Sequence, residues 1–242
     1  MLGGGLAYRF FFWTLALTVL IAGGLGLASA SGADVAADSR DAGVTRSLAT
    51  TIATAAEQSE AGRWWLVLSG VVLVLWSSYA LLRGLRLVHA AAWRIPLSPL
   101  RNAPRALGVV LVVPIVLLAG AGAAGWVRAN TSDLVGLVAT IGIGAVYGAM
   151  WLWVSMQLPS PTVPWSAFLP GAVLFGVGLE ALHVFTAYYL QLKLANASEL
   201  YGVLGLATTT LFFLFLIGRG VVWSAELNAV VWEARSARRK GG

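Results

Sequence analysis

Cysteine is absent from the 242 residues, histidine occurs twice, and Asp, Glu, Lys and Arg together make up only 11%. Each shortage removes a class of protein. Without Cys there is no disulfide framework, no thiol chemistry and no Cys-based metal site. Soluble domains are about 25% charged and about 45–50% apolar. At 59% hydrophobic, this chain is neither an ordinary cytosolic enzyme nor a disordered polymer. Hydrolase or nuclease chemistry generally needs clustered carboxylates and His, or a nucleophile beside a base. His89 and His183 lie far apart in the chain, and neither H-E-x-x-H nor G-x-x-x-x-G-K-[ST] occurs. The expectation is a protein that is not an enzyme, with no catalytic, cofactor-binding or metal-binding residue and no cofactor.

What is present is apolar surface in excess of any soluble core, so the bilayer is the expected solvent. The formal net charge of +6 raises nucleic acid as a partner, but the basic residues sit between and after apolar runs. That is the placement of topology determinants rather than of a phosphate-binding patch. No nucleic-acid partner is expected.

A spanning helix needs about 20 mostly apolar residues. Six runs qualify, at about 10–30, 64–82, 106–127, 134–158, 168–192 and 202–228. None shows the alternation of barrel strands. The predicted class is all-α, a single polytopic membrane domain ending in a basic tail over 229–242. Orientation follows from short-loop Lys and Arg. Arg83, Arg86, Arg94, Arg101 and Arg105 follow the second run without an acid, and Arg235, Arg238, Arg239 and Lys240 close the chain. Both groups fall on one side, expected to be the cytoplasm of a bacterial inner membrane, together with both termini. An alternative stays open for the first run. Arg9 and Ala28-Ser29-Ala30 resemble a signal peptide, although the apolar stretch is longer than usual for one and begins with the interfacial aromatics Phe10 to Trp13. Between the first two runs, Val44, Leu48, Ile52 and Ala55 recur at helical spacing, which predicts an amphipathic helix on the outer face. It reads either as a lid or as a tether.

Polar groups within the runs are the informative positions, since a central charge costs roughly 2.5–3.5 kcal/mol on insertion scales. Glu180 and His183 are three apart and share a face; Arg219 and Glu226 are seven apart on another. One reading is a hydrated path lined by Glu180, His183 and Arg219; the other is an interhelical pair that locks the last two spans. For His183 a simple hydrogen bond to a neighbouring helix is preferred, and Glu226 has water within reach. Gly120, Gly122 and Gly125, and the Gly144/Gly148 pair beside Gly142, provide close-approach surfaces. These serve packing within the chain or, on a sharper reading, a homo-oligomer face. Pro170-Gly171 marks the start of the fifth helix, after an interfacial or re-entrant stretch anchored by Trp165, and Tyr201-Gly202 opens the sixth.

At Pro164-Trp165, Leu169-Pro170-Gly171-Ala172, Tyr201-Gly202 and Ser224-Ala225-Glu226-Leu227-Asn228-Ala229 the chain resembles the YihY/BrkB family of bacterial inner-membrane proteins. Gly5-Leu6-Ala7-Tyr8-Arg9 and Trp64-Trp65 through Leu82-Arg83 extend the likeness over nearly the whole length. Ser224 departs from the family's usual Gly, and the family's N-terminal cytoplasmic segment is almost absent before Gly5. The resemblance implies six spans with both ends inside and carries over Pro170, Gly171, Tyr201, Gly202, Glu226 and Asn228 as motif residues. It supplies no mechanism: a former ribonuclease BN label is regarded as mistaken, and members are described as uncharacterised or as candidate transporters. The function expected is secondary transport or export of an envelope-related lipid or small solute. The alternative is a structural or partner-binding membrane protein.

Overall fold

The computed structural model describes residues 2–30, 63–97, 133–185 and 191–240, with positions 108 and 113. The third predicted span, the outer amphipathic helix, the glycines at 120, 122 and 125, and Arg101 and Arg105 lie outside the described residues. Five α-helices account for nearly all the rest: α1 Leu2–Ala30, α2 Arg63–Ala92, α3 Asp133–Gln157, α4 Leu169–Phe185 and α5 Gln191–Lys240, with a 3₁₀ turn at Trp165–Ala167 before α4. Among the described residues there is no strand. Leu2–Gly24, Trp64–Ala92 and Thr210–Arg239 are long and apolar enough to cross a membrane. The all-α membrane class therefore stands, with three candidate spans among the described residues.

The helices outrun the apolar runs that announced them. α2 continues past Leu82 to Ala92, so Arg83 and Arg86 stand on a helix and not in a loop. Leu, Arg and Ala are strong helix formers, and a stretch such as Leu81–Ala92 has no Pro to stop it. The end comes at Arg94, whose φ of 51° places it in the left-handed region. Ile95 N–H bonds the Ala90 carbonyl at 3.0 Å and Arg94 N–H the Ala91 carbonyl at 3.2 Å. This is a Schellman termination with Arg in the position usually taken by Gly. α5 also corrects the sequence reading. It begins at Gln191 and passes through Tyr201-Gly202 without a break, making one 50-residue helix. At 1.5 Å per residue it is about 75 Å long, far more than a bilayer core. The polar stretch before Tyr201 is rich in Leu, Ala, Lys and Glu, and one interior Gly costs only about 1 kcal/mol.

Two close approaches on α1 and α2 fix their antiparallel pairing. A Cβ on Gly23 would lie 2.9 Å from the Val67 nitrogen, and one on Gly70 would lie 2.8 Å from the Leu20 Cα. Trp13 donates its indole N–H to Ser78 Oγ at 2.9 Å between them. Leu2 of α1 lies with Val222 and Glu226 of α5, whereas Phe10 and Trp13 lie with Ile217, so α5 runs antiparallel to α1 and parallel to α2. On α3, Gly144 and Gly148 meet Gly176 and Ala172 of α4, so this GxxxG pair is taken up within the chain. The ends of α2, α3 and α5 thus gather with the starts of α1 and α4, here termed the Arg94 end. Leu6, Trp13, Leu85, Trp151, Phe175 and Val221, from all five helices, form the main core cluster.

Candidate functional site

α4 is the element around which the notable polar groups collect. Its start follows from its sequence. Ala167 and Phe168 N–H close a 3₁₀ turn on the Pro164 and Trp165 carbonyls, and Ala172 N–H to Phe168 O at 3.0 Å is the first α-helical bond. Pro170 stands in the first turn as the sequence predicts, where its missing N–H is no loss. Gly171 N–H is one of the donors that a helix start leaves without an internal partner. It is capped from another helix: Asn228 Oδ1 on α5 accepts it at 2.7 Å in a buried contact. The absence of a Cβ at Gly171 permits this, because a Cβ there would run into the Ser224 carbonyl and the Asn228 amide.

Around that cap lies a set of buried polar side chains at a spacing of four. His89 comes from α2 and Trp93 from the turn that ends it, Trp151 and Ser155 from α3, Ser224 and Asn228 from α5. Because these helices run the same way, each step of four descends one turn, and the six groups form two layers near the Arg94 end. In the upper layer Trp151 donates its indole N–H to Ser224 Oγ at 2.9 Å, and Ser224 donates to the Val221 carbonyl at 2.8 Å. His89 is fully buried, 6.1 Å from Trp151 between ring centres, with Nδ1 3.2 Å from the Leu85 carbonyl. A carbonyl only accepts, so Nδ1 carries the proton in that bond. In the lower layer Trp93 meets Phe168 edge-on at 5.9 Å. His89 Nε2, Trp93 Nε1, Ser155 Oγ and Asn228 Nδ2 have no hydrogen-bond partner among the described residues.

The sequence-predicted residues are distributed over different neighbourhoods. Glu180 is buried, at 7% relative exposure, with Cβ 3.6 Å from where a Gly144 Cβ would be. It lines a cleft of about 960 Å³ along α3 and α4, whose other walls include Ile141, Gly144, Ala172, Val173 and Val177. Arg219 is exposed on α5, its guanidinium 5.0 Å above the Trp223 ring and its Cδ against Gly3 of α1. Glu180 and Arg219 therefore adjoin different helices. Glu226 is exposed and lines a cavity of about 330 Å³ with Leu2 and Arg94 at the Arg94 end. The side chains of His183, Tyr201 and Gly202 lie outside the described residues. Sequence reading missed His89, Trp93, Trp151 and Ser155. Their signal is the i, i+4 repetition of polar or indole groups shared with Ser224 and Asn228.

Two of the segments that carry the family resemblance, Leu169–Ala172 and Ser224–Ala229, meet at the α4 cap, and the model of the virulence factor BrkB family matches residues 2–242. The chain belongs to that family. No curated protein matches it, and neither does any solved structure. In this BrkB chain the Pro170-Gly171 and Ser224–Ala229 segments act together to lock the start of α4 to α5. Ser224 accepts the Trp151 indole N–H with its hydroxyl.

Proposed function

We propose that this BrkB protein is a six-span inner-membrane protein, both termini cytoplasmic, acting as a secondary transporter or exporter of an envelope-related lipid or small apolar solute. The cleft along α3 and α4 carries the reading. Its walls are mostly apolar, suited to a hydrocarbon chain, and Glu180 is placed in them as an intramembrane carboxylate of the kind that lines substrate paths. No enzymatic step forms part of the proposal. A structural or partner-binding role is the second reading, and the α4 cap favours it: Gly171, Asn228, Ser224 and Trp151 are spent on holding helices together.

Proteoliposomes containing fluorescently tagged phospholipid separate the two. Transport predicts protein-dependent lipid movement that falls about tenfold or more in Glu180→Gln, roughly the 1.4 kcal/mol effect of one interaction lost during passage. The thermal midpoint of that variant stays unchanged. Movement equal to that in protein-free vesicles overturns the lipid-transport reading and leaves the structural one.

A further inference from the structure

A second groove, of about 360 Å³, runs between α1 and α2, with Phe12, Leu15 and Val19 on one wall and Trp76 on the other. Tyr8 and Arg9 stand at one end of it. Arg9 is held in place. Its Nη1 donates to the Ala80 carbonyl at 2.7 Å, and its side chain lies across Gly84, where a Cβ would be 2.8 Å from Nη1 and 2.9 Å from Cδ. That bond uses one of the five guanidinium donors. Neither α1 nor α2 contains an acidic residue to balance the charge. Arg9 also immediately precedes the uninterrupted apolar run that starts at Phe10, and its partner Ala80 lies just before Arg83 on α2, the placement of cations that reach a headgroup layer.

An apolar groove that ends in a fixed cation at headgroup depth, with no acid on either of its helices, has the complementary pattern to an acyl chain ending in a phosphate. We propose that the α1–α2 groove binds one anionic phospholipid, its phosphate on Arg9 and an acyl chain along Phe12, Leu15 and Trp76. This is a resident lipid on a different face from the α3–α4 cleft, so it goes beyond the transport reading and does not depend on it.

Native mass spectrometry of the full chain in detergent, titrated with phosphatidylglycerol and with phosphatidylcholine of the same chains, tests the proposal without any movement of lipid. The wild type should retain phosphatidylglycerol about fivefold more strongly, as expected for one interfacial Arg. Arg9→Gln should abolish that preference, and Arg9→Lys should keep part of it. Leu15→Trp, which fills the groove and leaves the charge, should weaken retention of both lipids. Excess inorganic phosphate should not displace phosphatidylglycerol, because the chain is held as well as the headgroup. Equal retention of the two lipids by the wild type overturns the proposal, as does a preference that survives in Arg9→Gln. Displacement by phosphate, or no effect of Leu15→Trp, removes the acyl-chain site.

Discussion

α4 crosses its neighbours twice on glycine, and the two crossings differ in what fills them. At Gly171 the approach to α5 is polar: a helix-start N–H is bonded to Asn228, beside the Trp151–Ser224 hydrogen bond. At Gly176 the approach to α3 is backbone against backbone, with a Cβ destined to lie 2.6 Å from the Gly144 carbonyl and 2.9 Å from the Gly148 nitrogen. The Gly171 crossing is enclosed by buried side chains, whereas the Gly176 crossing borders the α3–α4 cleft. In a bilayer, helix association depends on close packing and on hydrogen bonds rather than on burial from water. The first crossing has both contributions and the second only packing. α4 is accordingly held by a hydrogen bond at its start and by packing alone at Gly176.

The largest effect should separate these crossings directly. Gly171→Ala forces the Ser224 backbone of α5 to shift and breaks the Asn228 bond, so it should cost about 3 kcal/mol or more. Gly176→Ala should cost about 1–3 kcal/mol, because the Gly144 and Gly148 backbone must move away but no hydrogen bond is broken. Thermal unfolding in detergent measures both; equal losses would mean that the second crossing is as rigid as the first.

How much of this arrangement the sequence disclosed depends on the kind of signal. Length and apolarity announce α1, α2 and the membrane part of α5, and Pro170 marks the start of α4 within a residue. Helix ends are obscured where charge reads as a loop, as over Arg83–Ala92, and that error hides His89 among loop residues. Tyr201-Gly202 reads as a boundary because a Gly follows a polar stretch, yet nothing in those residues forbids a helix. Glu180 stands out as a charge inside an apolar run, and its burial agrees. Periodicity tells which residues share a face of one helix, but not which neighbour that face meets. For that reason the geometry of Glu180 against Gly144, and of Arg219 against Gly3 and Trp223, comes only with the fold.

Within the polar crossing, the side chains should differ according to what they hold. Asn228→Leu leaves the Gly171 N–H buried without its acceptor and should cost about 1–3 kcal/mol. Ser155, one layer neighbour of Asn228, holds nothing among the described residues, so Ser155→Ala should be neutral within about 0.5 kcal/mol or slightly stabilising. Comparing the two midpoints shows whether the lower layer is stabilised by the α4 cap or by its polarity in general. A loss at Ser155→Ala as large as at Asn228→Leu would favour the latter.

A small gain in stability is expected beyond both crossings, where α2 ends. Arg94 occupies the left-handed position of the Schellman termination, which costs a residue with a Cβ about 1–2 kcal/mol relative to Gly. Its ion pair with Glu233 is long, at 3.8 Å, and both side chains are mostly exposed, at 80% and 57%. Such a pair contributes about 0–1 kcal/mol. Relief of backbone strain should therefore slightly exceed the lost attraction, and Arg94→Gly should raise the thermal midpoint modestly. Salt sharpens the comparison, because screening weakens the ion pair and leaves the backbone term untouched. At high ionic strength the gain over wild type should grow. A midpoint that falls instead would show that Arg94 does more than end a helix, and the neighbouring cavity it shares with Glu226 would be the place to look for that role.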